Sequence, residues 1–412
     1  MKLLIILATV AIGLCLGEKI LFNNYKVYRV TAGNYEQIEI LKQLEKSSDA
    51  YNFWTEIGLP GKDVDIMVPP HKLEDFEQML NYNQFSFRIM VDDVQKDIDR
   101  QVIGSFKAAY GWTQYYDLDV TYQWLESLAA EHPGVVSVIT IGKSFEGQDI
   151  KGVKLTFGAN KPGVFLDAGI HAREWITTAT ATYVLNELLN SKDAAVRKLA
   201  ESHEWYIFPN INPDGYRYSQ KTNRLWRKTR QPFGTCYGTD ANRNFAYKWM
   251  TGGASSNPCS DTFAGPTPFS EPETRAVSNF IMANSQNLAA YLSFHSYSQV
   301  LLWPYGHTSQ HLDNHDDLNT IGKQTVAALA KRFGTKYDYG NIVETMYVAT
   351  GGSMDWVKGT YKTPITYTYE LRDTGRYGFL LPPDQIIPCG QEILDSLVAM
   401  FQAASDLGYF KN

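Results

Sequence analysis

The residues best placed to do chemistry in this 412-residue chain are His171 and Glu174, three positions apart in His171-Ala172-Arg173-Glu174. They follow directly on the apolar run Val164-Phe165-Leu166-Asp167-Ala168-Gly169-Ile170, so both stand where a buried strand emerges. A turn at a strand end can aim such a pair at one point, and zinc accepts imidazole nitrogen and carboxylate oxygen readily. Alone the spacing is weak, because a lone H-x-x-E is more often a surface turn. A second feature strengthens it: the run Ala289-Ala290-Tyr291-Leu292-Ser293-Phe294 ends in His295, again at a predicted strand terminus. Two strand ends would then supply His171, Glu174 and His295, with a fourth position left for water. Glu370 ends a third run, Thr366-Tyr367-Thr368-Tyr369. A buried carboxylate without a partner is expensive, so Glu370 either ion-pairs with Arg372 or works beside a metal; the residues alone leave both open.

Around these positions lie longer blocks: His171-Ala172-Arg173-Glu174-Trp175, Asn210-Ile211-Asn212-Pro213-Asp214-Gly215, Leu225-Trp226-Arg227-Lys228-Thr229-Arg230, Asp240-Ala241-Asn242-Arg243-Asn244, Phe294-His295-Ser296-Tyr297-Ser298-Gln299 and Tyr369-Glu370-Leu371-Arg372-Asp373. In these blocks and their order the chain resembles the zinc metallocarboxypeptidases of the carboxypeptidase A/B type, from about Tyr116 to its C-terminus. The resemblance implies one Zn2+ held by His171, Glu174 and His295, with Glu370 as general base. It implies Arg227 as the group that polarises the scissile carbonyl, although a basic run of this kind is more commonly a solvated cluster. A free C-terminal carboxylate would be taken by Asn242 and Arg243, for which a planar guanidinium is the natural bidentate partner. Tyr347 would close over the substrate, and Arg173 and Tyr297 would contact the peptide further upstream. The remaining histidines (His71, His132, His203, His307, His311 and His315) lie outside the matching blocks and are read as surface or supporting residues.

By the same resemblance, specificity is set on the floor of the pocket for the terminal side chain. Counting from Gly351-Gly352-Ser353, that position is Met354, where relatives that take Lys or Arg carry aspartate; Asp355 follows immediately, so a one-residue slip would invert the conclusion. The other expected pocket positions are Leu302, Gly306, Ile342, Met346, Ala349 and Thr368, a mostly apolar lining without formal charge. Aliphatic and aromatic terminal residues are therefore expected, with breadth from the adaptable thioether. A basic-residue carboxypeptidase and a non-catalytic peptide-binding relative are the alternatives. The joint presence of His171, Glu174, His295, Arg227 and Glu370 disfavours the second.

These residues need a scaffold. Strand-like and helical runs alternate from Ala108 onward, as in an α/β architecture with a mixed, largely buried central sheet flanked by helices. Sites gather at strand ends in such sheets, where His171, His295 and Glu370 all fall. Residues 18–107 read as a separate small α+β unit in the order strand, helix, strand, strand, helix, strand, a ferredoxin-like pattern, with Asp63 to Val68 alternating as a half-buried strand. It ends in a charged stretch with Arg100 and Lys107 as candidate tryptic sites. The resemblance makes this unit an activation propeptide covering the cleft of a catalytic domain over residues 108–412. A permanent accessory domain is the alternative.

Residues 1–17, one lysine followed by an apolar run closing on Cys15-Leu16-Gly17, have the pattern of a secretory signal peptide. No other stretch approaches the about 18 apolar residues of a membrane span. A net charge of −6 and the absence of a basic stripe argue against nucleic acid. Expected partners are peptide or protein C-termini, the chain's own propeptide, a trypsin-like activating protease and proteinaceous carboxypeptidase inhibitors, with the enzyme monomeric, extracellular and digestive. Outside the cell Cys236 and Cys259 could close their loop as a disulfide, as the family does at this place. Cys389 is left as a shielded thiol in the last helix region.

Overall fold

The computed structural model describes residues 18–47, 50–101, 103–104 and 110–410, so the expected leader over 1–17 and Lys107 lie outside the described residues. Among the described residues no helix is long and apolar enough to cross a membrane.

The N-terminal unit runs β1 (Lys26–Thr31), α1 (Tyr35–Ser47), β2 (Asn52–Phe53), β3 (Asp63–Val68), α2 (Leu73–Tyr82), β4 (Ser86–Val91) and α3 (Val94–Arg100). Its four strands pair antiparallel in the order β2-β3-β1-β4. Successive side chains leave a strand on opposite faces, so each strand carries two sets. Tyr28, Val30, Val64, Ile66 and Val68 pack under the two helices with Ile38, Leu41, Phe76 and Leu80. Val27, Met67 and Val91 point the other way and join Trp54, Leu225, Tyr297, Phe379 and Leu380 in an apolar cluster shared with the rest of the chain. That second contact corrects the expectation for Asp63–Val68. Every residue of β3 after Asp63 is buried, because both faces of the strand are covered.

The larger unit continues through β5 (Ile103–Gly104), β6 (Tyr115–Tyr116), α4 (Leu118–Glu131), β7 (Val136–Lys143), β8 (Asp149–Leu155), β9 (Gly163–Ala168), α5 (Trp175–Asn190), α6 (Ala194–Ser202), β10 (Glu204–Phe208), α7 (Pro213–Lys221), β11 (Pro232–Phe233), β12 (Cys236–Tyr237) and α8 (Pro272–Asn284). It closes with β13 (Leu288–Ser296), β14 (Val300–Trp303), α9 (His315–Phe333), β15 (Asp338–Asn341), α10 (Ile342–Thr345), α11 (Ser353–Tyr361), β16 (Ile365–Leu371) and α12 (Ile386–Asp406). Eight strands form one mixed sheet in the order β15-β14-β16-β13-β9-β10-β8-β7. Its centre, β16-β13-β9-β10, is parallel. Antiparallel pairing joins β14 to β16 on one side and β8 to β10 on the other.

The central strands read as unbroken apolar runs because helices cover both faces; all six residues of β9 are buried. The helix α5 is buried around nearly its whole circumference, lying on the sheet with α12 packed against it. Cys389 is fully buried on α12, and Cys236 and Cys259 are joined, 5.2 Å apart at Cα.

Candidate metal centre and peptide cleft

Parallel pairing brings the C-terminal ends of β9, β13 and β16 to one edge. His295 and Glu370 are direct cross-strand partners, and Phe294 lies opposite Ala168, three residues before His171. The chain leaves β9 through Gly169, whose φ is +66° and whose missing Cβ would stand 2.5 Å from the Asn210 amide nitrogen. Only glycine fits that turn without strain. The turn is pinned by the Gly169 N–H donating to Thr177 Oγ1 (3.0 Å) and the Ala172 N–H donating to the Arg227 carbonyl (2.9 Å), which leaves His171 and Glu174 directed at the same point before α5 begins.

There His171 Nδ1 lies 2.8 Å from Glu174 Oε1 and 3.2 Å from His295 Nδ1, and His295 Nδ1 lies 3.5 Å from Glu174 Oε2. All three residues are buried and offer ligand atoms within 4.8 Å of one another. The other nitrogen of His171, Nε2, faces Asp240 Oδ1 at 3.1 Å. Burial alone would raise the Asp240 carboxyl, but Arg227, His171 and Arg243 hold it well below the ordinary carboxylate range. Asp240 thus gives Nε2 an acceptor and orients the ring, which leaves Nδ1 as the nitrogen turned toward Glu174 and His295. Nitrogens of His171 and His295 and a carboxylate oxygen of Glu174 thus converge in a buried space that a cation could occupy. The donor set of two imidazoles and one carboxylate with an open side fits zinc.

Glu370 faces the same space from β16, and no hydrogen bond ties it to Arg372. Arg372 instead pairs with Glu392 on α12, which closes the ion-pair alternative. Burial pushes the Glu370 carboxyl up to about 8, opposed by His295 and Arg227 and reinforced by Glu174. Arg227 donates to Asp240 Oδ2 from Nη2 (2.7 Å) and Nε (3.2 Å). Asp240 therefore orients a candidate ligand and a candidate oxyanion donor at once, and its backbone neighbour Asn242 is held by the same side chain (N–H to Oδ1, 2.8 Å). Sequence reasoning assigned it no role, although it opens the block Asp240-Ala241-Asn242-Arg243-Asn244.

Arg173, Arg227, Asn242, Arg243, Tyr297 and Tyr347 all line one cleft of about 260 Å³ with the three candidate ligands and Glu370. The N-terminal unit fills its polar positions. Glu56 accepts a hydrogen bond from Arg243 Nη2 and lies 3.9 Å from Arg227 Nη2. Asn52 Oδ1 accepts from Arg173 Nη1 (3.3 Å), and Asp65 Oδ2 accepts from Tyr297 Oη (2.6 Å) while pairing with Arg29. None of Asn52, Glu56 and Asp65 was singled out from sequence; they sit in a different unit, and only docking reveals their partners.

Beneath Arg243 a smaller cavity of about 50 Å³ is lined by Leu302, Ile342, Met346, Ala349, Met354 and Thr368, and Gly306 packs against the Ala349 carbonyl. Met354 Sδ accepts from Thr368 Oγ1 at 3.5 Å. Asp355 and Glu370 also border this cavity, but both oxygens of Asp355 accept from the Gly306 N–H (3.0 and 2.8 Å), with His307 Nδ1 at 3.4 Å.

Residues 121–396 match the zinc carboxypeptidase family and residues 28–101 match the carboxypeptidase activation peptide. Zinc carboxypeptidase A 1 of Drosophila melanogaster is 46% identical over 419 residues, covering 98% of this chain and 97% of the relative. Carboxypeptidase B of Astacus astacus is 46% identical over 299 residues, covering 72% of this chain and 98% of that protein. The crystal structure of carboxypeptidase A from Helicoverpa armigera superposes with a TM-score of 0.85 at 30% identity, covering 95% of this chain and all of that one. The chain belongs to the zinc carboxypeptidase family and is a metallocarboxypeptidase made as a zymogen, its activation peptide seated over the cleft.

Proposed function

We propose that this zymogen, once cut, removes apolar residues from peptide C-termini, with His171, Glu174 and His295 as the zinc ligands, Glu370 as general base and Arg227 as oxyanion donor. The convergence of three ligand atoms beside Glu370 and Arg227 carries this reading. Bound zinc supplies a Lewis acid that polarises the scissile carbonyl and makes water a stronger acid. A Glu370 carboxylate oxygen takes a proton from the attacking water and returns it to the departing amine nitrogen. Arg227, already braced by Asp240, donates to the carbonyl oxygen as negative charge develops there. Arg243 and Asn242 grip the terminal carboxylate, Tyr347 closes on it, and Arg173 and Tyr297 hold the upstream peptide. Asn52, Glu56 and Asp65 support this assignment, since a propeptide that occupies four of these side chains blocks the positions a substrate needs.

The domain division follows: a signal peptide over 1–17, an activation domain and connecting segment over 18–107, and a catalytic domain over 108–412. The strand order β2-β3-β1-β4 with both helices on one face supports a ferredoxin-like activation domain. The apolar end of residues 1–17 supports secretion, and the zymogen form supports a digestive role outside the cell.

The relatives are chiefly of the A type, and the pocket supports the same preference. Met354 forms its floor, and the Asp355 carboxylate is occupied by the Gly306 amide. A lysine or arginine terminus would lose its hydration without gaining a partner, a penalty of several kcal/mol, whereas apolar side chains gain roughly 1.5–3 kcal/mol. After trypsin treatment, Phe, Tyr, Leu and Met should be released at least about a hundredfold faster than Lys or Arg from matched peptides, and Met354→Asp should narrow or reverse that order. Preference of the unmodified enzyme for Lys or Arg would overturn the pocket assignment. Stoichiometric zinc retained after alanine replacement of His171, Glu174 or His295 would remove that residue from the ligand set.

A further inference from the structure

We propose that Gly253 is a positioning residue for carboxylate recognition, holding Arg243 and the Tyr347 segment in register so that they close on a terminal carboxylate together. The proposal rests on the roles given above to Arg243 and Tyr347. Gly253 has φ +61°, in the left-handed region, and a Cβ there would stand 1.8 Å from the Val348 carbonyl oxygen and 2.9 Å from Ala349 Cα. Those are main-chain atoms directly after Tyr347 and cannot rotate aside as a side chain could. The carbonyl of the same glycine accepts from Arg243 Nε at 3.0 Å. One residue thus touches the backbone that carries Tyr347 and fixes the guanidinium plane of Arg243. The neighbouring chain repeats the contact: Gly252 O accepts from Thr350 Oγ1 (2.5 Å), and Gly351, with φ +74°, lies where a Cβ would meet the Arg243 carbonyl at 2.3 Å.

With Nε held by Gly253 and Nη1 donating to the Asn242 carbonyl (3.0 Å), Nη2 is the atom that Glu56 occupies in the zymogen. Bidentate recognition of a carboxylate depends on the orientation of that plane. Displacing residues 348–349 by the width of a methyl group would move Tyr347 away from it, and moving the Gly253 carbonyl would release the plane itself.

The test uses the full-length chain after trypsin activation, with two inhibitors. 3-Phenylpropanoate needs the carboxylate clamp, whereas acetohydroxamate needs only the metal. Gly253→Ala should weaken 3-phenylpropanoate about tenfold or more, as expected for a disturbed charge-assisted hydrogen bond, and leave acetohydroxamate unchanged, with KM raised more than kcat is lowered. Unchanged 3-phenylpropanoate inhibition, or an equal loss for both inhibitors, would overturn the proposal. Where Gly253→Ala does not fold, Thr350→Val removes the Gly252 tie without adding a clash; a selective loss for 3-phenylpropanoate supports the proposal and no loss overturns it. Arg243→Ala separates the premises. If it leaves 3-phenylpropanoate unaffected, the role given to Arg243 fails; if it weakens that inhibitor while Gly253→Ala does not, only the role given to Gly253 fails.

Discussion

Glu370 and Asp240 are both carboxylates at the cleft, and their surroundings suit them to the opposite tasks proposed for them. Among the described residues no cation is hydrogen-bonded to Glu370, and burial pushes its carboxyl up to about 8; Asp240 lies between His171 and Arg227 and stays ionised. A residue that accepts and returns a proton needs the first environment, and one that fixes a ligand's tautomer needs the second. Glu370→Gln should therefore retain zinc and lose about 100- to 10,000-fold in kcat; turnover near that of the unmodified enzyme would make Glu370 structural. Asp240→Asn should lower zinc affinity or activity by about 10- to 100-fold. Metal titration of the variant against a competing chelator checks it, and an unchanged affinity together with unchanged turnover would refute the bracing role.

Elements matter through their ends. The active residues cluster because β9, β13 and β16 run parallel side by side and stop together, while α5 and α12 bury the scaffold beneath them. The end of β10 shows the same burial acting on stability. His203, at the C-terminus of α6, donates from Nδ1 to the Leu199 carbonyl (3.1 Å) and packs edge-on against Phe401 and Phe410. Burial pulls its pKa down to about 4, so the folded protein keeps it neutral. Below its unfolded value of roughly 6.5 the unfolded chain binds more protons, and stability falls as the pH drops from there through about 4. The loss amounts to about 3 kcal/mol. Denaturant unfolding between these pH values should give a shallower slope for His203→Phe than for the parent; equal slopes would assign the acid sensitivity elsewhere.

At the scale of the molecule, latency comes from one unit docked on another. The docked face combines the apolar cluster of Val27, Trp54, Met67 and Val91 on Leu225, Tyr297, Phe379 and Leu380 with the polar caps of Asn52, Glu56 and Asp65. Arg100 ends α3 with its side chain 59% exposed, open to a trypsin-like protease. The uncut chain should hydrolyse peptides poorly and gain activity on cleavage in the Arg100 to Lys107 region. Glu56→Ala should raise the activity of the uncut chain while leaving the cut enzyme unchanged. Full activity before cleavage would favour a permanent accessory domain.

The sequence determined more of the site than of the fold around it. His171, Glu174, His295 and Glu370 stood out because each follows or ends an apolar run, from which a buried strand can be read, while their roles came from the family resemblance. The strands β9, β13 and β16 follow those runs closely. Short elements such as α7, α11, β14 and β15 were not foreseen, since they carry too few residues for a periodicity to show; α7 starts at Pro213 under the Asn212 cap. Tertiary structure alone decided which partner each charge takes: Arg372 with Glu392 rather than Glu370, Asp240 across to both His171 and Arg227, Glu56 over Arg243. Those pairs span from 13 to 187 positions of chain. Distance along a sequence carries no information about such contacts, because they form only when strands pair and one folded unit settles on another.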